Sequence, residues 1–143
     1  MVSPRIEAML RKNAKIELIK QVPLFERLSK RELEEIASLA DELDLPAGRT
    51  LTKEGAAGHE FVVLAEGEAE VRRNGETVNH LSSGDFLGEL ALVTGRPRTA
   101  TVTTTTDARL LVITASAFRR LIRDKPSIQA KVLDAVASRL PDD

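Results

Sequence analysis

Most of the side chains suited to binding chemistry fall within one segment of the sequence, residues 84–102. Gly88 allows a ligand to approach the backbone closely, because glycine has no Cβ. Glu89 carries a carboxylate that only accepts hydrogen bonds when ionised, and Arg98 carries a permanently charged planar guanidinium that suits a phosphate. Thr99 adds a hydroxyl group, and residues 99 and 100 add backbone N–H donors. The segment therefore combines anion-binding groups with one strong acceptor.

The pairing of Glu89 with Arg98 restricts the kind of ligand that fits. A bare sulfate or inorganic phosphate would be repelled by the Glu89 carboxylate. A ligand with one phosphate charge and a sugar hydroxyl would use both side chains. Residues 89–93 can also form a short helical turn whose free N–H groups point at an anion. The alternative interpretation is that Glu89 and Arg98 form only a structural ion pair across a loop.

The elements that must position this segment follow from hydrophobic periodicity. Apolar residues at mostly three- and four-residue spacing predict a first helix over residues 4–22. Ser29-Lys30-Arg31-Glu32 has the pattern of a capping box at the start of a second helix, and we expect the N-terminal helices to occupy residues 4–42. The period then changes to two, which predicts strands at 49–54, 60–65, 68–73, 76–81, 101–106 and 108–114.

Turn and helix signals complete the predicted architecture. Asn74-Gly75 suits a tight type I′ hairpin, because both residues tolerate positive φ. C-terminal helices are expected over residues 115–140, with Pro126 in the first turn of the last one. Short strands with Gly-containing turns and no intervening helices indicate an antiparallel sandwich or barrel. We therefore predict an α+β fold over residues 1–143, in which an antiparallel sandwich or barrel (residues 44–114) is flanked by N-terminal and C-terminal helices.

Composition excludes several classes of function. The chain has 143 residues, and its 21 Lys and Arg against 22 Asp and Glu give a net charge of −1, which argues against a nucleic-acid-binding surface. There is no cysteine, and His59 and His80 are the only histidines, so we expect no metal centre. No apolar run could span a bilayer and no signal peptide is evident. We expect a cytoplasmic protein without enzymatic activity.

The segment resembles a motif of a known family. The run Gly88-Glu89-Leu90-Ala91-Leu92, followed by Pro97-Arg98-Thr99-Ala100-Thr101-Val102, is similar to the phosphate-binding cassette of cyclic nucleotide-binding domains. This family includes the catabolite activator protein, the regulatory subunits of cyclic-nucleotide-dependent kinases and nucleotide-gated channels. The resemblance extends over roughly residues 22–140, with Leu87 standing where the family usually has an aromatic residue. It implies that the antiparallel strands of residues 44–114 form a jelly-roll-like β-roll.

The resemblance implies a role for each residue of the cassette, residues 84–102. Glu89 would accept a hydrogen bond from the ribose 2′-hydroxyl, and Arg98 would pair with the cyclic phosphate. Thr99 would contact the phosphate through its hydroxyl or its amide. Backbone contacts would come from Gly88, Leu90 and Ala100. The implied ligand is cAMP or cGMP, with no resident cofactor and no metal.

The resemblance also implies the kind of activity. We expect a stand-alone allosteric sensor whose C-terminal helices move on binding and are read by an effector protein or a second copy of the chain. The contact of the family's C-terminal lid with the base would fall at or beyond Asp143, so we expect cAMP to be favoured only weakly over cGMP. No helix-turn-helix is evident, so no direct DNA binding is expected, and no membrane association. One alternative is a degenerate member that serves as an interaction module without nucleotide. Another is a metal enzyme on the same sheet type, which would need clustered histidines.

Overall fold

The computed structural model describes residues 3–57, 59–89, 92 and 97–137. Within that part of the chain, helix α1 spans Pro4–Lys20 and a 3₁₀ turn spans Pro23–Phe25, followed by α2 (Lys30–Ser38). After the strands come α3 (Ala115–Asp124) and α4 (Pro126–Ala137). None of the described helices is both long and apolar enough to span a membrane.

Two antiparallel four-stranded sheets lie between these helices in the chain. The strands are β1 (Asp41–Leu45), β2 (Thr50–Thr52), β3 (Glu60–Glu66), β4 (Ala69–Arg73), β5 (Glu76–Leu81), β6 (Phe86–Leu87), β7 (Thr101–Thr104) and β8 (Ala108–Thr114). One sheet has the order β1-β8-β3-β6 and the other has the order β2-β7-β4-β5. The predicted fold class, an antiparallel β-roll flanked by helices, is therefore confirmed.

The local signals read from the sequence are found in the structure. Ser29 caps α2, with the Ser29 side chain accepting from the Glu32 N–H and the Glu32 side chain accepting from the Ser29 N–H. Asn74 and Gly75 have φ of 54° and 81°, and they join β4 to β5 in the two-residue hairpin. Pro126 is the first residue of α4, as its fixed φ and missing N–H favour.

Several predicted boundaries were wrong. The region expected to be helical to residue 42 ends its last helix at Ser38, because Asp41–Leu45 pairs along its whole length with β8. The predicted strand at 101–106 ends at Thr104, since Thr105 and Thr106 form a turn held to Glu68. The short strand β6 was not predicted. Residues 138–140 of the expected last helix lie outside the described residues.

Strand β3 explains why the core has two compartments. Successive side chains point to opposite faces of a strand, and β3 is buried on both of its faces. Phe61 and Val63 pack against the helices, whereas Val62 and Leu64 pack between the two sheets. This is why the sequence of β3 is a continuous apolar run rather than an alternating one.

The four phenylalanines of the chain form one connected cluster. The Phe25 ring packs edge-on against Phe61 with a centroid distance of 5.9 Å, and it also lies 5.9 Å from Phe118 in α3. Phe61 in turn lies 6.0 Å from Phe86 in β6. The cluster therefore joins the N-terminal helices, the C-terminal helices and the strand that enters the segment 84–102.

A polar cluster around the buried Glu32 joins α2 to α4. The Glu32 carboxylate accepts hydrogen bonds from the Lys131 ammonium at 2.6 Å, from the Ser127 hydroxyl at 2.8 Å and from the Ser29 N–H at 2.9 Å. The pKa of Glu32 is lowered to about 2, chiefly by Lys131 and then by the Ser29 N–H. The charged form of Glu32 is therefore the form that stabilises the contact between α2 and α4.

This cluster makes stability depend on pH in the acid range. The pKa of Glu32 is lower in the folded than in the unfolded chain, so its contribution is complete above about pH 5 and is lost as pH falls toward about 2. We expect Glu32→Gln to lower the free energy of unfolding at pH 7 by about 1–3 kcal/mol. The same variant should lose less stability than the parent between about pH 5 and pH 2.

Denaturant unfolding at several pH values measures both effects. The matched control is Glu34→Gln on the same helix, whose carboxylate makes only a surface pair with Lys12 at 3.6 Å. It should change stability by about 0.5 kcal/mol or less. If the stability of Glu32→Gln depends on acid pH as that of the parent does, the Glu32 carboxylate does not stabilise the contact between α2 and α4.

Candidate functional site

Strand β3 positions the start of the segment 84–102. Phe86 and Leu87 pair with Val63 and Val62 of β3. The preceding turn is held by two further backbone hydrogen bonds to Leu64, which accepts from the Gly84 N–H at 2.7 Å and donates to the Asp85 carbonyl at 2.8 Å. The chain therefore leaves a firmly paired strand at the point where Gly88 begins.

Gly88 occupies a position that requires glycine. Its φ is +81°, in the left-handed region, and a Cβ there would lie 2.6 Å from the Glu60 carbonyl oxygen and overlap the guanidinium of Arg98. The sequence predicted close approach of a ligand to this backbone. The structure adds that the close neighbours of Gly88 include the Arg98 side chain, so the two halves of the segment meet here.

Glu89 follows directly and its side chain is buried, with 5% of its surface exposed. The Leu92 N–H donates to the Glu89 carbonyl at 3.3 Å, as expected for the predicted helical turn. Residues 90, 91 and 93 lie outside the described residues, so the turn as a whole and the role of Leu90 stay predictions. A buried carboxylate in a region with little competing water is a strong acceptor.

Arg98 is half-buried, and its guanidinium donates a hydrogen bond to the carbonyl of Glu60 at the start of β3. Burial lowers the pKa of Arg98, while the charge of Glu60 acts in the opposite direction. Arginine stays charged at neutral pH even so. The site therefore holds a partly desolvated cation, whose interaction with an anion is stronger than that of an exposed one.

Backbone hydrogen bonds fix the peptide on either side of Arg98. The Arg98 N–H donates to the Ala56 carbonyl, and the Gly55 N–H donates to the Arg98 carbonyl, both at 2.8 Å. The Glu54 N–H donates to the Thr101 hydroxyl at 3.0 Å. The turn after β2 therefore fixes the backbone of residues 98–101.

Thr99 and Ala100 are held through their carbonyl groups. Thr99 is exposed, and its carbonyl accepts a hydrogen bond from Arg73 Nε at 3.0 Å. Ala100 is buried, and its carbonyl accepts from the hydroxyl of the buried Thr52 at 3.1 Å. Sequence reasoning missed Arg73 and Thr52, because both are distant from the segment in the chain and neither has a local motif that marks it.

The structure thus brings Gly88 and Arg98 into contact, places buried Glu89 next to Gly88, and orders Thr99 and Ala100 beside them. The ligand contacts that the sequence assigned to these residues stay predictions. His59 and His80 are both exposed. Across the described ranges there is no group of three or more His, Cys, Asp or Glu side chains arranged to hold a metal ion.

Comparison with known proteins gives the family. The sequence model of the family described as "Cyclic nucleotide-binding domain" matches residues 42–125, more than half of the chain. A cAMP-dependent protein kinase regulatory subunit from Colletotrichum orbiculare is 39% identical over 108 residues, which cover 74% of this chain but 28% of that protein. The chain thus spans about a quarter of the length of this relative.

Solved structures agree with that assignment. The N-terminal domain of a transcriptional regulator from Streptomyces coelicolor superposes with a TM-score of 0.80 at 28% identity, covering 87% of this chain and 93% of that one. The regulatory domain of Toxoplasma gondii PKA, solved with cAMP, superposes with a TM-score of 0.72 at 28% identity, covering 80% of this chain and 45% of that one. The residues matched by the family model include Gly88, Glu89 and Arg98, and they lie within the β-roll just described. The chain therefore belongs to the family of cyclic nucleotide-binding domains.

Proposed function

We propose that this protein is an allosteric sensor that binds a cyclic nucleoside monophosphate and signals to a partner protein. The observation that carries the proposal is the half-buried Arg98 guanidinium against Gly88, with the buried Glu89 following Gly88 in the chain. A partly buried cation and a buried carboxylate on one segment suit a ligand that offers both an anion and a hydroxyl donor. A cyclic nucleotide has both groups on one rigid ring system.

In the proposed complex, the site residues contact either the cyclic phosphate or the ribose. Arg98 pairs with the cyclic phosphate, and the Thr99 hydroxyl and the amides of Thr99 and Ala100 donate to the same group. Glu89 accepts from the ribose 2′-hydroxyl. Gly88 and Leu90 contribute backbone contacts. Charge-assisted hydrogen bonds of this kind are roughly twice as strong as neutral ones.

The favoured ligand is cAMP, with cGMP a weaker one. The relatives named as cAMP-dependent regulatory subunits and the Toxoplasma gondii domain solved with cAMP support this choice. Thr99 is the residue beside the phosphate whose hydroxyl could also meet the guanine 2-amino group. Such a contact would favour cGMP and so keep the preference for cAMP small. Because one neutral hydrogen bond is worth about 0.5–1.5 kcal/mol, the affinities for the two nucleotides should differ by on the order of tenfold or less.

Signalling depends on a second conformation of the C-terminal helices. Phe118 of α3 packs on Phe25, which packs on Phe61 of β3, and Phe61 packs on Phe86 immediately before the site. A nucleotide that draws the Arg98 guanidinium away from the Glu60 carbonyl changes the contacts at the start of the same strand. The ligand shifts the helices only as far as its affinities for the two conformations differ. The output is read by an effector protein or by a second copy of the chain.

Calorimetric titration of the purified protein with cAMP, cGMP and cyclic pyrimidine nucleotides tests the proposal. We expect binding of cAMP, with cGMP weaker by about tenfold or less. Absence of heat with every nucleotide, at protein concentrations well above micromolar, would instead support an interaction module that has lost its ligand. A preference far above a hundredfold would require a base contact beyond Thr99.

Arg98→Ala should weaken binding of cAMP by at least about tenfold, because the loss of a charge-assisted contact to a desolvated anion costs about 2–4 kcal/mol. Thermal unfolding without ligand should change little. The matched control is Arg109→Ala, which removes an exposed guanidinium paired with Asp44 at 2.9 Å on β1. If both variants bind like the parent, the phosphate is not held by Arg98.

Glu89→Gln should reduce the discrimination between cAMP and its 2′-deoxy analogue. The parent is expected to bind the deoxy analogue poorly, because the buried carboxylate then lacks the hydroxyl donor. The amide of the variant accepts more weakly, so it should lose less on removal of the hydroxyl. Competition binding with both nucleotides gives the two ratios. Equal ratios in parent and variant would remove Glu89 from the ribose contact.

Gly88→Ala separates steric overlap from backbone strain when it is compared with Gly75→Ala. Both glycines have φ of +81°, but a Cβ at Gly75 meets nothing within 4 Å. Both variants should therefore share the strain of about 1 kcal/mol or more, and Gly88→Ala should be the less stable of the two. Unfolding and cAMP titration measure this, and binding should weaken only in Gly88→Ala. Equal behaviour would show that both the Arg98 side chain and the Glu60 carbonyl move aside without cost.

A further inference from the structure

The β4–β5 hairpin reaches the site through a residue that no motif marks. Arg73 is the last residue of β4, and its side chain is exposed. Its Nε donates to the carbonyl oxygen of Thr99 at 3.0 Å. This contact joins the hairpin to the segment proposed to hold the phosphate, over a separation of 26 residues in the chain.

A second hydrogen-bonded connection supports the first. The Asn74 N–H, next to Arg73, donates to Glu54 Oε1 at 3.0 Å, and the Glu54 N–H donates to the Thr101 hydroxyl at 3.0 Å. The hairpin is thereby held at two points along the same stretch, at Thr99 and, through Glu54, at Thr101. We call Arg73, Asn74 and Glu54 the hairpin bracket. With both ends of the stretch held, the peptide between them has few orientations.

The geometry of the peptide unit gives the Arg73 contact a consequence at the ligand site. The carbonyl of Thr99 and the N–H of Ala100 belong to one peptide plane, and in a trans peptide they point in opposite directions. The bond from Arg73 to the Thr99 carbonyl therefore fixes the direction of the Ala100 N–H. The positive guanidinium also polarises the same amide, which makes its N–H a better donor.

We infer that Arg73 is a positioning residue, which aims the Ala100 amide at the cyclic phosphate and strengthens it as a donor without touching the ligand itself. This inference rests on the proposed function, because it assigns the phosphate to that amide. Arg73 thereby makes nucleotide affinity sensitive to the β4–β5 hairpin, and a partner that displaced the hairpin would weaken binding.

Two substitutions test the inference. Arg73→Ala removes the side chain beyond Cβ, and Arg73→Met keeps most of its length without a donor. Each should weaken cAMP binding by about fivefold to twentyfold, because the Ala100 amide is misdirected rather than removed. Complete loss of one hydrogen bond to a charged group would cost about tenfold to a hundredfold. The matched control is Arg72→Ala, because Arg72 is also exposed but makes its contacts to Glu70 and to the Gly75 carbonyl. It should bind like the parent.

Two further measurements separate positioning from other roles. In ligand-free protein, the amide resonance of Ala100 should shift and its hydrogen exchange should accelerate in both Arg73 variants but not in Arg72→Ala. The dependence of cAMP affinity on salt should be the same in Arg73→Ala as in the parent, because the ligand keeps its direct cation. A smaller salt dependence would overturn the inference in favour of direct contact between Arg73 and the phosphate.

The outcomes distinguish this inference from the proposed function. If the parent binds cAMP and the Arg73 variants bind equally well, the inference is wrong and the proposed function stands. If the parent binds no cyclic nucleotide, the proposed function fails and the role assigned to Arg73 fails with it. A shifted Ala100 resonance would in that case show only that the hairpin bracket has a structural role. An Ala100 amide that does not respond to loss of Arg73 overturns the inference whatever the affinity.

Discussion

The packing of Phe61 against Phe25 is the contact on which the rest of the structure depends. Phe61 lies on the central strand β3, and Phe25 lies in the 3₁₀ turn between the N-terminal helices. Aromatic pairs in an edge-on arrangement contribute about 0.5–1.5 kcal/mol beyond the area that they bury. The larger effect is geometric, because Phe25 also packs on Phe118 and Phe61 also packs on Phe86. The helices and the entrance to the site therefore share one close-packed cluster.

Close packing of this kind transmits displacement. Protein interiors have few voids, so a ring that moves must displace its neighbours. Strand β3 supplies both Phe61 to this cluster and the Glu60 carbonyl to the Arg98 guanidinium. Glu60 and Phe61 are adjacent in the chain, so one contacts the candidate site and the next packs in the core. Under the proposed function, this adjacency would give a short physical connection between a bound anion and the C-terminal helices, which carry Phe118.

The site is built largely from backbone groups held by distant parts of the chain. Peptides on both sides of Arg98 are fixed by the turn after β2, and Thr99 and Ala100 are fixed through their carbonyl groups by Arg73 and Thr52. Main-chain N–H donors that are fixed in this way would need no rearrangement to bind an anion. Arg98 is the exception, because its guanidinium already donates to the Glu60 carbonyl. Under the proposed function, it would exchange that carbonyl for the ligand.

The sequence by itself determined the fold class, and it singled out candidate residues for the site. Three patterns of only a few residues predicted local structure correctly: the capping box at Ser29, the Asn74-Gly75 hairpin and Pro126 at the start of α4. The segment 84–102 could be singled out because its residue types are sufficient to indicate an anion and a hydroxyl donor. The placement of these features relative to one another was left open, and β6, Arg73 and Thr52 were missed.

That placement was decided by the tertiary structure. Helix propensity near residue 40 gave way to β1, because the edge of β8 offers a full set of hydrogen bonds to Asp41–Leu45. Strand β6 has two residues and exists only because β3 is there to pair with it. Arg73 and Thr52 became part of the site through contacts with residues 26 and 48 positions away in the chain. Such contacts carry no local pattern, since they depend on how two sheets and a core assemble in space.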